Sequence, residues 1–364
     1  MPVKEHQKMQ TEYGLALKAH GGDIYRNSHV MVDFSVNVNP LGPQPEVTAA
    51  VCASAAQIAN YPDIYCERLA GVLGGYEDVP PKFLIFGNGA AELIFSAVQA
   101  VKPKRALLLS PTFSEYERAL KAVDAQLSYY ELKEEEQFRV KEDILAHIEP
   151  GIGMVFLCNP NNPTGQCVLG SLMERIAKRC AECKSFLVID ECFADFLDAP
   201  EMYGMKDRLC MYPNMVIVKA FTKLFCMPGL RLGYAMCSSR DVLCRIREAM
   251  QTWNVSVTAQ AAGIAAIENC GSYVAETKRL IRQERDYLLG ELEKLGYKVY
   301  GSKANYIFFK DIRPEERNLY DEALNAGFLF RDCSDYRGLE RGYYRIAVRT
   351  RADNERMVAW LRQL

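Results

Sequence analysis

The segment from about residue 80 to residue 240 alternates short apolar runs with longer stretches in which apolar residues recur at helical spacing. Each run is typical of a buried strand, and the stretches between them, such as 90–101 and 171–183, are typical of amphipathic helices. The runs are KFLIFG (82–87), RALLLS (105–110), LSYYEL (127–132), GMVFLC (153–158), FLVID (186–190), MVIVK (215–219) and LGYAMC (232–237). Strands that alternate with helices form a mostly parallel sheet with helices on both faces. We therefore predict an α/β fold whose large domain contains a mostly parallel seven-stranded sheet.

The pattern changes after residue 240. Two long helical stretches, 241–250 and 256–294, precede the strand-like runs YKVY, NYIFF, GFLFR and YYRIAV and a last helix over 354–362. This order predicts a smaller α+β domain that the N-terminal residues complete. We assign residues 1–43 to an N-terminal arm and part of the small domain, 44–240 to the large domain, and 241–364 to the small C-terminal domain.

Composition and charge exclude several classes of protein. The chain has 364 residues, 49% of them hydrophobic and 25% charged, which is enough for more than one domain. The net charge is -2 and no long basic block is present, so neither nucleic acid nor an anionic membrane is an expected partner. No apolar segment approaches the ~20 residues that span a bilayer, and the N-terminus lacks the apolar core of a signal peptide. We expect a cytoplasmic protein, and we expect the KEEE run at 133–136 to be a solvated turn.

Cysteines and histidines do not indicate a metal site. The 13 cysteines are irregularly spaced and often lie in apolar runs, a pattern that indicates reduced thiols. Cys180 and Cys183 form a C-x-x-C sequence without a second pair, which favours two helix-end thiols over a metal or redox site. The four histidines are scattered, and we expect no metal.

Residues that can bind a ligand follow several of the apolar runs. In an open α/β sheet, ligands bind at the carboxyl ends of the strands, where these residues lie. Lys223 lies among apolar residues, where desolvation lowers the pKa of an amine and makes it a candidate for a Schiff base. A surface lysine with its stem on apolar neighbours is the alternative. Asp190 ends an apolar run, where a carboxylate needs a cationic partner. The other residues at these ends offer backbone amides, a ring, a side-chain amide and a guanidinium: Gly89, Ala90, Phe113, Asn162 and Arg231.

An amine, a carboxylate, a stacking ring and phosphate donors form the set that pyridoxal 5'-phosphate (PLP) requires. The motifs NPNNPTG, IDE and TKLFCMPGLRLGY moreover resemble those of fold-type-I PLP-dependent enzymes of the class I and II aminotransferase family, in particular the histidinol-phosphate aminotransferase branch. The resemblance covers nearly the whole chain. We therefore expect PLP as the cofactor and a PLP-dependent transferase fold of type I.

The resemblance implies a role for each residue at a matching position. Lys223 would bind the cofactor covalently and carry a proton, Asp190 would pair with the pyridinium nitrogen, and Asn162 would donate to the ring phenolate. Phe113 would stack on the ring. The residues implied to bind the cofactor phosphate are Gly89, Ala90, Thr222, Arg231 and, from the neighbouring subunit of a homodimer, Tyr61.

Further motifs resemble the threonine-phosphate decarboxylases, transaminase-like enzymes of cobalamin biosynthesis: HGGD (20–23), DFSVNVNPLGP (33–43) and YRGLERGYYRIAVRT (336–350). This implies decarboxylation of L-threonine O-phosphate, or of L-serine O-phosphate, to the amino-alcohol phosphate. Phe193 and Arg349 stand where we expect tyrosine and glycine in the aminotransferases. Arg345 would bind the substrate carboxylate in a bidentate fork. The residues implied to bind the substrate phosphate are His20, Asn37, Arg331 and Arg349.

Two alternatives remain open at this point. Transamination with 2-oxoglutarate would use the same residues and break a different bond at the substrate Cα. A regulator with this fold would lack the lysine or carry an added basic DNA-binding segment, and the sequence shows neither feature. Ala220 stands where a hydroxyl residue is expected, so one hydrogen bond to the cofactor phosphate is predicted to be missing.

Overall fold

The computed structural model describes residues 21–25, 27, 29–313 and 317–364. The strands in these ranges are β1 (Val32–Asp33), β2 (Leu84–Gly87), β3 (Arg105–Ser110), β4 (Gln126–Glu131), β5 (Met154–Cys158), β6 (Phe186–Asp190), β7 (Met215–Ala220), β8 (Gly233–Met236), β9 (Lys298–Val299), β10 (Tyr306–Lys310), β11 (Phe328–Leu329), β12 (Arg331–Asp332) and β13 (Tyr343–Ala347). The α-helices are α1 (Pro45–Ser54), α2 (Glu67–Glu77), α3 (Ala90–Val101), α4 (Ser114–Lys121), α5 (Ile144–His147), α6 (Gly170–Glu182), α7 (Phe221–Leu224), α8 (Arg240–Glu248), α9 (Val257–Glu268), α10 (Cys270–Lys294), α11 (Leu319–Asn325) and α12 (Arg351–Leu361).

Seven strands form the large sheet in the order β2-β8-β7-β6-β5-β3-β4. In this sheet β8 runs antiparallel to the two strands beside it, β2 and β7, and the other pairs are parallel. The predicted α/β fold with a mostly parallel seven-stranded sheet is therefore confirmed. Because β8 is antiparallel, its first residue lies at the same edge as the last residues of the parallel strands. That edge is where the predicted site residues should meet.

The central strands of the large sheet are apolar at nearly every position, as expected for a sheet that is covered on both faces. All five residues of β5 are buried, and so are all five of β6. Alternate residues of β5 enter different cores: Val155 and Leu157 pack into one, and Met154 and Phe156 pack into the other. Successive side chains of a strand point to opposite faces, and here both faces are buried. The runs are therefore apolar throughout instead of alternating between apolar and polar residues.

A second, four-stranded antiparallel sheet has the order β12-β13-β10-β9. The short β1 pairs in parallel with β11, and the Ala347 amide at the end of β13 donates to the Phe34 carbonyl oxygen at 2.7 Å. The segment after β1 therefore lies against the C-terminal sheet. The division of the chain at residues 43 and 240 stays a prediction.

The helical stretch predicted over 256–294 is two helices in the structure. The α9 helix ends at Glu268 and α10 begins at Cys270, with Asn269 between them at φ -117° and ψ 19°. The Asn269 side-chain amide donates to the Ala265 carbonyl at 2.8 Å, and the Gln44 side chain donates to the Asn269 carbonyl at 2.7 Å. The side chain of Gln44, the residue directly before α1, thus hydrogen-bonds the residue at which the two helices meet.

None of the helices in the described ranges is both long enough and apolar enough to cross a bilayer. The same residues contain no group of three or more His, Cys, Asp or Glu side chains arranged to bind a metal ion.

Candidate active site

The predicted residues converge at the carboxyl edge of the large sheet. Asp190 is the last residue of β6, and Lys223 lies in the one-turn helix α7 that directly follows β7. The Asn39 amide donates to the Lys223 carbonyl at 3.0 Å, so the segment after β1 passes beside the lysine. The site is therefore built from the ends of the large-sheet strands together with the chain that follows β1.

The Lys223 amine lies in a largely desolvated environment with cations nearby. Its Nζ is 5.3 Å from the centroid of the Phe193 ring. Burial lowers the pKa of Lys223 to about 8, and the positive charges of Arg345 and Arg231 act in the same direction. Asp190 opposes this shift. About a tenth of this amine is thus unprotonated at pH 7, and the neutral form is the one that acts as a nucleophile.

Asp190 is buried, and its two carboxylate oxygens have separate donors. The Tyr116 hydroxyl donates to Oδ2 at 2.6 Å, and the Cys192 backbone amide donates to Oδ1 at 3.0 Å. Tyr116 is itself held by stacking on Phe156, with ring centroids 5.0 Å apart, and by an edge contact with Phe113 at 5.6 Å. These donors hold the carboxylate in a fixed orientation at the end of β6, where it can face a pyridine nitrogen.

Asn162 and Arg345 are in direct contact across the site. One Arg345 Nη donates to the Asn162 side-chain oxygen, the other donates to the Ser35 carbonyl at 2.8 Å, and Nε has no partner although it is buried. The Tyr336 hydroxyl donates to the same Asn162 oxygen at 3.3 Å. The Asn162 amide nitrogen makes none of these contacts, so it is the group that can donate to a ring oxygen.

The start of α3 lies close to Arg231 and provides a place for a phosphate. Gly89 precedes the helix at φ 83°, and a Cβ placed there would lie 2.6 Å from an Arg231 guanidinium nitrogen. A Cβ on Gly233 would lie 2.5 Å from the Ala90 backbone nitrogen, so the helix approaches β8 as closely as glycine permits. Backbone amides at a helix N-terminus beside a guanidinium bind phosphate well. Thr222 is buried in α7, and Ala220 at the end of β7 offers no side-chain donor.

The structure brings some of the predicted substrate residues to this site. Asn37 is buried with an unpartnered Oδ1, and Arg349 has an unpartnered, buried Nε and a longer ionic contact of 3.6 Å with Asp353. Arg331 is already paired, since its guanidinium donates to both Asp335 oxygens at 2.8 Å and 2.9 Å. His20 lies outside the described residues.

Tyr61 is not brought to the other site residues within this chain. Its side chain is 78% exposed and stacks on Trp253, with ring centroids 4.4 Å apart. A contact from Tyr61 to a cofactor would therefore have to be made to another copy of the chain.

Sequence reasoning missed three tyrosines that support the site. Tyr116 lies three residues after Phe113 on the helix that follows β3, and this helical spacing was the available signal. Tyr336 belongs to a quoted motif, but its contact with Asn162 spans 174 residues of sequence. Tyr306 donates to the Asn161 carbonyl at 2.8 Å and lies under Arg345, and no local pattern indicates this.

The sheet topology, together with an amine, a carboxylate and an anion-binding helix start at one edge, defines a fold-type-I PLP-dependent enzyme. The chain belongs to the Aminotransferase class I and II family, whose sequence profile matches residues 29–361. It is a PLP-dependent enzyme, and its cofactor is PLP. The predicted fold and family are confirmed.

Curated relatives and solved structures agree with this assignment. The threonine-phosphate decarboxylase of Salmonella typhimurium is 34% identical over 354 residues, 95% of this chain and 96% of the relative. Histidinol-phosphate aminotransferase 2 of Archaeoglobus fulgidus is 30% identical over 337 residues, 92% of this chain and 93% of the relative. The histidinol-phosphate aminotransferase of Sinorhizobium meliloti, solved in complex with PLP, has the same fold, with a TM-score of 0.84, 19% identity and 96% of each chain covered.

Proposed function

We propose that this protein is a PLP-dependent carboxy-lyase that converts L-threonine O-phosphate, or L-serine O-phosphate, to the corresponding amino-alcohol phosphate. The single observation that carries the proposal is the pair of buried guanidinium nitrogens without hydrogen-bond partners, Nε of Arg345 and Nε of Arg349. Buried donors are normally hydrogen-bonded, so such atoms indicate ligand groups. Two arginines suit a substrate that carries both a carboxylate and a phosphate dianion.

Several residues are proposed to hold the cofactor. Lys223 would bind its aldehyde carbon, Asp190 would pair with its ring nitrogen, and Asn162 would donate to its phenolate oxygen. Phe113 would stack on the ring. The residues proposed to bind its phosphate are Gly89, Ala90, Thr222 and Arg231. When bound, PLP supplies an electron sink for the charge that remains at the substrate Cα when a bond there breaks.

The chain's own residues would control substrate orientation and protons. Arg345 can bind the carboxylate through its free Nε and the remaining Nη hydrogens while it keeps its contact with Asn162. Lys223, whose pKa is lowered to about 8 by burial, is still largely protonated near neutral pH and can deliver a proton to the substrate Cα in place of the CO2 that leaves. Phe193 beside the amine presents an apolar ring without a hydroxyl group to hydrogen-bond.

The substrate phosphate is proposed to lie on the side of the N-terminal segment. The buried Oδ1 of Asn37 and Nε of Arg349 have no hydrogen-bond partner, and a cavity of about 320 Å³ borders Arg331 and Ser35. Arg331 would bind a phosphate only in competition with Asp335. His20 completes the proposed set from the resemblance alone.

Transamination of a similar phosphorylated substrate is the second candidate, supported by the relatives that are histidinol-phosphate aminotransferases. The two reactions differ in their need for a keto acid. Purified holoenzyme incubated with L-threonine O-phosphate alone should release CO2 catalytically. A strict requirement for 2-oxoglutarate, with no CO2, would favour transamination. The same assay with L-serine O-phosphate then shows which of the two is preferred. The two substrates differ by one methyl group, which changes the free energy of binding in a pocket by ~1 to 3 kcal/mol.

We further propose a homodimer with shared active sites. Exposed apolar side chains cluster around Tyr61, namely Ile58, Ile64, Tyr65 and Trp253. A second copy could cover them and receive Tyr61 at its cofactor phosphate. Lys223→Ala and Tyr61→Ala variants, each impaired alone, should regain activity when mixed and refolded together, because a hybrid dimer contains one site with both residues. No recovery would contradict sharing.

A further inference from the structure

One carboxylate in the turn 134–136 connects the large sheet to the small one. Glu134 follows β4, and its side chain is 26% exposed. Its Oε1 accepts hydrogen bonds from Lys298 at 2.6 Å and Tyr300 at 2.8 Å, and its Oε2 accepts from Tyr343 at 2.6 Å and Lys310 at 3.4 Å. The expectation of a solvated turn is wrong for this residue, because four donors from the C-terminal part of the chain surround it.

These contacts reach the strand that carries the proposed carboxylate-binding residue. Tyr343 and Arg345 are two residues apart on β13, so both side chains project from the same face of the small sheet. This face meets the large domain at two points, Tyr343 on Glu134 and Arg345 on Asn162. The position of Arg345 relative to Asn162 therefore depends on how β13 is seated.

The loop that carries Glu134 is ordered by an aromatic contact. Phe138 is buried, and its ring meets those of Tyr300, Phe308 and Tyr343 edge to face, with centroids 5.0 to 5.9 Å apart. Gln137 and Phe138 both adopt left-handed backbone conformations, at φ 55° and 54°, which non-glycine residues rarely do. Such conformations persist only where surrounding contacts hold them, and they concentrate at functional elements.

We propose that Glu134 is a positioning residue that seats β13 against the large domain and so places Arg345 at the substrate. Hydrogen bonds from Lys298, Tyr343 and Tyr300 to the carboxylate act against its partial burial and lower the pKa of Glu134 to about 2. The contact is therefore present throughout the pH range in which the enzyme would work.

The experiment compares Glu134→Gln and Glu134→Ala with Glu135→Gln and Glu135→Ala. Glu135 belongs to the same turn, and its side chain is exposed. Tyr343→Phe removes one hydroxyl and provides a second route if Glu134→Ala folds poorly. Two quantities are measured on holoenzyme: steady-state KM and kcat with L-threonine O-phosphate, and hydrogen exchange of the amides 343–347. The kinetic measurement rests on the proposed function, whereas the hydrogen-exchange measurement does not.

We expect the Glu134 variants and Tyr343→Phe to raise KM about tenfold with kcat changed less than about twofold, because substrate binding through Arg345 weakens. Exchange of the β13 amides should accelerate by about tenfold, PLP binding should persist, and the Glu135 variants should match wild type. Unchanged KM and exchange in the Glu134 variants, even with reduced thermal stability, would overturn the proposal. If wild type does not act on L-threonine O-phosphate, the proposed function fails, and the exchange result alone decides the role of Glu134.

Discussion

Arg345 and Arg331 lie directly opposite each other on the antiparallel strands β13 and β12. Facing positions place both guanidinium groups on one side of the sheet, and like charges there repel. The structure reduces this repulsion on one side only, since Arg331 is paired with Asp335 whereas Arg345 keeps a buried nitrogen without a partner. Of the two arginines, Arg345 is thus the one with a donor available to an anionic ligand.

Arg345→Lys should therefore impair substrate binding more than Arg331→Lys. Lysine keeps the charge but cannot form a bidentate fork with a carboxylate, so we expect KM to rise by about 10- to 100-fold. Steady-state kinetics with L-threonine O-phosphate measure this. Equal effects of the two substitutions would contradict the division of roles.

Tyr116→Phe should weaken PLP binding without unfolding the protein. The hydroxyl donates to Asp190, and a hydrogen bond to a charged group is worth about 1.5 to 3 kcal/mol, so we expect an increase in the PLP Kd of roughly tenfold or more. Titration of apoprotein with PLP, followed by absorbance, gives the Kd. Tyr25→Phe is the matched control because Tyr25 is 92% exposed. An unchanged Kd for Tyr116→Phe would show that Asp190 does not depend on this donor.

Glu191→Gln should change how stability depends on pH. Glu191 is buried beside a cluster in which Lys219 bonds Glu77 at 2.6 Å and Asp195 at 2.8 Å, and its Oε1 has no partner. Burial raises the pKa of Glu191 to about 7. Because this pKa lies above the usual value of 4.5, the folded state holds a proton that the unfolded state loses, and stability falls as pH rises from about 4.5 to 7.

Glutamine resembles the protonated form and escapes this loss. The free energy of unfolding of Glu191→Gln minus that of wild type should thus be larger at pH 8 than at pH 5, by about 2 kcal/mol, which means that the variant is relatively more stable at pH 8. Urea denaturation at the two pH values measures the difference, with Glu135→Gln as the control. Parallel changes in wild type and Glu191→Gln would contradict the assignment.

The reaction of PLP with apoprotein should follow the ionisation of Lys223. Only the neutral amine is nucleophilic, so the association rate should rise with pH and reach half its maximum near pH 8, the value to which burial lowers the pKa of Lys223. Arg345→Gln should move the midpoint upward because it removes a nearby cation, whereas the exposed Arg337→Gln should not. Stopped-flow absorbance gives the midpoint. A midpoint near the usual lysine value of about 10.4 would contradict a desolvated amine.

The fold was predictable because local patterns of hydrophobic and small residues determine its strands and helix starts. Continuous apolar runs such as 154–158 gave buried central strands, and the small residues at Gly89 and Ala90 marked a helix start. The break at Asn269 was not predictable from local pattern, and the Gln44 side chain that contacts it lies 225 residues away in sequence.

The site was predictable where a motif carries the chemistry, as at Lys223 and Asp190. The site was not predictable where the partner of a side chain lies far away in sequence. The hydrogen bond from Tyr116 to Asp190 spans 74 residues and that from Tyr343 to Glu134 spans 209. Charge pattern alone suggested that Glu134 faces solvent, because a run of acids is hydrophilic wherever it stands and sequence does not show the donors brought to it.

The most direct test of the account is to locate the covalent bond between PLP and the chain. Holoenzyme is treated with borohydride to fix that bond, digested, and mapped by mass spectrometry, with the Lys223→Ala variant as the control. We predict a single phosphopyridoxyl adduct on the peptide that contains Lys223, and none in the variant. An adduct on another lysine, such as the buried Lys219, with Lys223 unmodified would contradict the central claim.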